Sequence, residues 1–285
     1  MRFAAVKLLA SRWLLPAASG ALLAFALPPF NSGELGWLSL VPLLFAVEGC
    51  RLEEAFRRGY IAGLVFFGMT IWWIYHVTPA GTVGLIAFLA LYFGVGAVVF
   101  VMANCFVPDS TNSESQFGAG AAIRNVFVAV VASAGWVTLE WLRGKLLFGG
   151  FPWNFLGVTQ WRAGPLIQFA SVTGVYGVSA LVCFVNVVLY FTIRRFVAQM
   201  RTREKRWRLS WEFYVAMSLI CFAFWHGVPQ VFPHNEAKQR IVRLALVQGD
   251  IPQTLKFEPE QKPMILERYR TLTEAVITRS NLISR

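Results

Sequence analysis

The sequence predicts an α-helical polytopic membrane protein of about seven transmembrane helices, followed by the first strand and helix of an incomplete α/β domain. Three observations predict it. The 285 residues are 56% hydrophobic and only 14% charged, whereas soluble domains carry about a quarter charged residues. Long apolar runs recur and raise the mean hydropathy to +0.55. After Pro233 these runs stop, and the chain takes on the short β-branched and helical patterns of a water-soluble fold.

Crossing the hydrocarbon takes about 20 apolar residues in a helix. Spans are predicted at 8–27, 35–49, 59–77, 83–106, 122–142, 165–193 and 211–228, the second of them short and interrupted by Pro42. Arg2, Lys7 and Arg12 ahead of an apolar stretch mimic a signal peptide. The spans that follow, and the want of a clear cleavage site, favour a retained first helix. Loop charge sets the orientation. The N-terminus, the loop at 50–58 (Arg51, Arg57, Arg58) and the loop at 194–210 are basic, while 28–34 and 78–82 contain no Lys or Arg. Cytoplasmic loops attract Lys and Arg, so the N-terminus is expected inside the cell and residues 229–285 outside. Arg143, Lys145 and Arg162 on the outer side run mildly against this. The Ser/Asn/Gly-rich stretch 108–120 reads as a flexible insert.

Net charge is +11, but seven of the 26 basic residues sit between Arg194 and Arg208 beside apolar helices. That position suits a positive-inside loop, and no recognition motif accompanies the charge, so nucleic acid is not an expected partner. Cys50, Cys105, Cys183 and Cys221 have no metal or redox spacing, and His76, His226 and His234 form no cluster. Neither a cofactor nor a metal is expected.

Small residues recur four apart at Gly59/Gly63, Ala170/Gly174 and Thr173/Gly177, a spacing that lets membrane helices approach closely. Beyond Pro233, "IVRLALVQ" reads as a strand and "GDIPQ" as a turn. Pro263 suits a helix's first turn, and Ile265, Tyr269, Leu272 and Val276 continue at helical spacing. "NLIS", Asn281–Ser284, reads as the start of a second strand.

The most unusual membrane-edge segment is "LEWLRGKLLFGGFPWNFLG", Leu139 to Gly157. Glu140 and Arg143 lie three apart and can meet on one helix face. Ionisable groups near the membrane interior are costly and often functional; an interfacial ion pair fixing a helix end is the competing reading. Gly149, Gly150 and Pro152 break the helix, and irregular backbone at that depth requires protein or a water-filled cavity around it. With Phe151 and Trp153 the segment forms either an aromatic mouth for a lipid or one more interfacial anchor.

"EWLRGKLLFGGFPWNFLGVTQ", "PLIQFASVTGVYGVSALV" and "VRLALVQGDIPQTLKF" occur in that order, and together they resemble the successive signatures of the apolipoprotein N-acyltransferases. The resemblance covers essentially the whole chain. It implies a multi-pass protein of the bacterial cell inner membrane, divided into a helical membrane domain (1–232) and the beginning of a periplasmic nitrilase-like domain (233–285). It implies transfer of an acyl chain from a phospholipid to the diacylglyceryl-cysteine at a lipoprotein's N-terminus, through a Cys nucleophile, a Glu base and a Lys. The family's Glu sits in a "WPE" motif, which is expected just beyond Arg285, with the Lys and Cys further on. No catalytic residue is therefore assigned, and neither Glu267 nor the four cysteines substitute. The resemblance assigns substrate binding to Gln253 and Phe257, and to Gly149, Phe151, Pro152 and Trp153 with Glu140 and Arg143. At 257 the family usually has Trp; Phe keeps an aromatic face and loses the indole donor. A catalytically dead membrane domain that binds lipid or a partner is the alternative. A transporter would need charges paired in mid-span, and none is visible.

Overall fold

The computed structural model describes residues 2–106, 119–146, 149–202, 210–232 and 244–283, and these are helical or irregular throughout. Two compact units emerge, Met1–Pro233 and His234–Arg285. Residues 108–118 of the insert predicted at 108–120 and the basic residues from Arg203 to Arg208 fall outside the described residues, and Ala119 and Gly120 open a helix.

The first unit contains α1 (Arg2–Phe25), α2 (Val41–Val47), α3 (Leu52–Thr70), α4 (Pro79–Phe106), α5 (Ala119–Lys145), α6 (Gly164–Ile167), α7 (Ala170–Thr202) and α8 (Trp211–Val231). Among the described residues four helices are long and apolar enough to cross a membrane, α4, α5, α7 and α8, which bears out the predicted spans in part. The other three predicted spans resolve into shorter or more polar elements. In α1 the residues with described side chains, from Arg12 on, form a shorter apolar helix to Phe25. The span at 35–49 is a 3-10 helix, Gly33–Trp37, followed by α2, in which Pro42 occupies the first turn and so starts the helix. The span at 59–77 begins earlier, at Leu52, because Glu53 and Glu54 pair with Arg57 and Arg58 one turn on. It then ends at Thr70 and continues as a 3-10 helix, Trp72–His76.

Helices α3 and α4 pack through the Gly59/Gly63 pair. A Cβ at Gly59 would stand 2.4 Å from the Phe93 carbonyl oxygen, and one at Gly63 would stand 2.7 Å from Ala90 Cα. The two later small-residue pairs do other work. A Cβ at Gly177 would strike Thr173 of its own helix, and Gly174 takes φ 64° and kinks α7. The core is aromatic. Phe93 lies 5.3 Å from Phe66, 5.7 Å from Phe67 and 5.0 Å from Trp136 between ring centroids, which ties α3, α4 and α5 together.

In hydrocarbon every backbone polar group needs an internal partner, and buried side chains supply them where the helices break. Asn186 of α7 accepts the Leu40 N–H and donates to the Gly36 carbonyl, each at 2.9 Å. Gln160 donates to the Gly33 carbonyl at 2.8 Å. At the Trp211 end of α8, fully buried Glu212 accepts from Arg195 and Asn125, each at 2.9 Å.

The second unit differs from its expectation. Residues 244–252 form no strand, and Ile241–Arg243 of the predicted strand lie outside the described residues. A strand completes its hydrogen bonds only against a neighbour, and the described part of this unit offers none. The predicted helix is present as α10 (Lys262–Ile283), preceded by α9 (Gln253–Lys256), and Ile265, Leu272 and Val276 are its half-buried positions. Asn281–Ile283, expected to open a second strand, are the last turn of that helix. A helix satisfies its own backbone, so α10 runs on through them.

Candidate functional site

Glu140 and Arg143 occupy the last turns of α5 and are almost fully buried, at 4% and 5% exposure. Their charges attract each other, as the i, i+3 spacing allows, but no hydrogen bond joins them directly. Both reach the irregular segment 149–157. One Glu140 oxygen accepts from the Trp136 indole at 3.0 Å and from the Leu156 backbone N–H at 2.7 Å. Arg143 donates to the Trp153 carbonyl at 2.7 Å, and its own carbonyl accepts the Phe151 N–H at 2.7 Å. The guanidinium lies between two rings, 5.3 Å from the Phe67 centroid and 5.0 Å from that of Phe155, a favourable setting for a desolvated cation. The two charged residues thus supply hydrogen bonds that a broken helix at a membrane edge lacks.

The segment needs its glycines. Gly149 and Gly150 have φ of 86° and 84°, a region unfavourable to any residue with a Cβ. At Gly150 a Cβ would also stand 2.2 Å from the Gly144 carbonyl oxygen, whereas at Gly149 it would meet nothing within 4 Å.

This backbone path exposes aromatic faces. Trp153 is half exposed; its ring lies 5.4 Å from Trp73 and 6.1 Å from Phe151, with Phe151 nearly parallel at 24°. Pro152 is exposed between them. Beside the aromatics is a cavity of about 320 Å³, lined by Gly84, Leu85 and Phe88 of α4 with Arg143, Gly150 and Phe151.

Six of the eight sequence-predicted residues therefore gather at one place: Glu140, Arg143, Gly149, Phe151, Pro152 and Trp153. Gln253 and Phe257 belong to the second unit, where Gln253 opens α9 and Phe257 follows it, 74% exposed. Sequence reasoning missed Trp73, Trp136 and the α4 wall. Gly81, Gly84, Leu85 and Phe88 did carry a signal, the i, i+3, i+4, i+7 spacing of one helix face.

Residues 19–188, more than half of the chain and including the whole of this segment, match the apolipoprotein N-acyltransferase N-terminal domain. The chain belongs to the apolipoprotein N-acyltransferase family. Similar curated relatives, each named apolipoprotein N-acyltransferase, come from Geobacter metallireducens (33% identical over 270 residues), Coxiella burnetii (32% over 262) and Caulobacter vibrioides (30% over 270). Each alignment covers 90% of this chain and 47%, 49% and 45% of the respective relative. The chain spans about half the length of the curated apolipoprotein N-acyltransferases it matches. The membrane-edge site lies inside the matched N-terminal domain; Gln253 and Phe257 lie beyond it.

Proposed function

We propose that this chain forms the membrane platform on which an acyl chain passes from a phospholipid to the α-amino group of a lipoprotein's diacylglyceryl-cysteine, and that segment 149–157 receives the phospholipid. One observation carries the reading: Glu140 and Arg143 hold an aromatic segment fixed at a helix end, next to a cavity walled largely by apolar side chains. In the family reaction a Cys thiolate attacks the donor ester. A C–S bond forms as the glycerol oxygen leaves, and the amine then opens the thioester to an amide and restores the thiol.

On this reading the end of the bundle carrying Trp73 and Trp153 faces the periplasm, and the N-terminus faces the cytoplasm. Support comes from charge: Arg51, Arg57 and Arg58 at the start of α3, and Arg194 and Arg195 near the end of α7, mark the opposite end. Residues 233–285 then begin the periplasmic nitrilase-like domain, whose strand at 241–248 forms only against neighbouring strands. Gln253 and Phe257 contribute to its entrance. The Glu, Lys and Cys of the reaction are supplied by sequence other than residues 1–285.

The test is photolabelling of residues 1–285 in lipid nanodiscs with a phospholipid bearing a headgroup diazirine. Labels concentrated on Phe151, Trp153 and Trp73 support the reading. Labels spread evenly over these and the exposed Phe222 and Trp225 of α8 would refute it. In cells depleted of their own enzyme, residues 1–285 expressed alone should yield no triacylated lipoprotein by mass spectrometry of lipoprotein N-termini.

A further inference from the structure

We infer that the cavity beside segment 149–157 takes a segment of the phospholipid's acyl chain, and that Gly84 is the residue that sets its size. This inference rests on the reading of segment 149–157 as the phospholipid-receiving surface.

The glycines of α3 and α4 separate into kinds. At Gly59, Gly63 and Gly94 a Cβ would come within 2.7 Å of a neighbouring helix, so these glycines serve packing. At Gly81 a Cβ would strike the Thr78 side chain at 2.6 Å. Gly84 is different. It lies within α4 with no left-handed φ, and a Cβ there would meet nothing within 4 Å. Neither conformation nor packing calls for glycine at this position. The open space in front of it belongs to the 320 Å³ cavity, so a side chain at 84 would occupy volume that is otherwise free.

The chemistry of the walls selects the occupant. Leu85, Phe88 and Phe151 offer hydrocarbon and aromatic surface, and Arg143 is the one charged residue among the described residues of the lining. Its guanidinium is already committed to the Trp153 carbonyl and to two rings. At about 320 Å³ the cavity is at the small end of the roughly 300–1,000 Å³ that sites for drug-sized molecules measure, and a two-chain phospholipid is larger than such a molecule, so the cavity suits part of one chain. Its wall adjoins the segment that presents Trp153, so a donor whose headgroup rests on the aromatics has a chain-sized recess next to it.

The experiment uses residues 1–285 in nanodiscs with two phospholipid probes, one with a diazirine in the headgroup and one with it in the acyl chain. A third probe is a diacylglyceryl-cysteine peptide with the diazirine in an acyl chain. The chain probe of the phospholipid should label Leu85 and Phe88. Gly84→Leu should reduce that labelling on the order of tenfold, the discrimination that adding or removing a methylene gives in an apolar pocket, and should leave headgroup labelling of Trp153 unchanged. Gly84→Ala should give a smaller loss in the same direction, and it decides the question if Gly84→Leu fails to fold. Gly68→Leu, on α3 where a Cβ also meets open space, should change nothing. Undiminished labelling of Leu85 and Phe88 in the Gly84 variants would overturn the inference, as would labelling by the lipopeptide probe in place of the phospholipid. Headgroup labelling of Trp153 without chain labelling of Leu85 and Phe88 defeats this inference alone. Absence of both defeats the reading on which it rests.

Discussion

Segment 149–157 and the stretch 244–257, which is irregular apart from the single turn of α9, are built in opposite ways. The first is pinned by buried side chains: Glu140 on the Leu156 N–H, Arg143 on the Trp153 carbonyl, and Ser179 on the Gly157 N–H at 2.8 Å. The second leaves Leu244, Leu246 and Phe257 at 85%, 96% and 74% exposure. Non-helical chain keeps a fixed shape only where something else completes its hydrogen bonds and covers its apolar side chains. The membrane unit provides both within itself. Among its described residues the second unit keeps what helices provide alone, α9 and α10, with the Tyr269 ring close enough to Gly249 to leave no room for a Cβ.

The contrast can be broken or sharpened by substitution. The largest effect is expected at Arg143. Arg143→Ala removes the donor to the Trp153 carbonyl and the charge between Phe67 and Phe155, and should destabilise the membrane unit by about 3 kcal/mol or more. Thermal unfolding in detergent measures it; an unchanged midpoint would mean that the segment holds its path without help. Gly150→Ala should rank next. It combines a left-handed φ, costing about 1–2 kcal/mol for a residue with a Cβ, with an overlap on the Gly144 carbonyl. Gly149→Ala bears only the first cost, so the order Gly150 above Gly149 is the outcome to check by the same melts. Leu246→Ser should leave the melt within about 0.5 kcal/mol, because that side chain packs on nothing; a larger loss would show that the second unit is covered in solution.

The smallest effect concerns Cys50, in the turn between α2 and α3. Burial raises its thiol pKa, and the nearby Arg58 only partly offsets this. At neutral pH it therefore holds less thiolate than a free cysteine. Maleimide should react more slowly with it than with the same residue in the denatured chain, and should gain on raising the pH.

What the sequence made legible follows the same division. The spans at 83–106, 122–142 and 211–228 were readable because an apolar helix is a local property of one run of residues. The span at 165–193 was readable except for its start, where the chain forms α6, breaks at 168–169 and is kinked at Gly174 within α7. Gly227 of α8 meets the Pro165 carbonyl there, with a Cβ position only 1.7 Å away. Around α3, hydropathy alone overlooked that two i, i+4 ion pairs extend a helix past its apolar run. At the site, the i, i+3 rule offered Glu140 and Arg143 to each other, whereas their hydrogen bonds go elsewhere. Their true partners are backbone groups 10 to 16 residues further along the chain. Trp73 and Gly84 were missed for the same reason: nothing local says that α3 and α4 end beside segment 149–157. The strand at 241–248 was inferred from composition, but strand formation depends on a neighbour that composition does not supply.

Amide hydrogen exchange on residues 1–285 in nanodiscs tests most directly whether Glu140 and Arg143 hold segment 149–157. The Phe151 and Leu156 amides should be strongly protected and the 244–252 amides should exchange at nearly open-chain rates. Glu140→Ala should release Leu156 while sparing the centre of α4. Equal, rapid exchange of 151–156 and 244–252 in the wild-type chain would contradict the account.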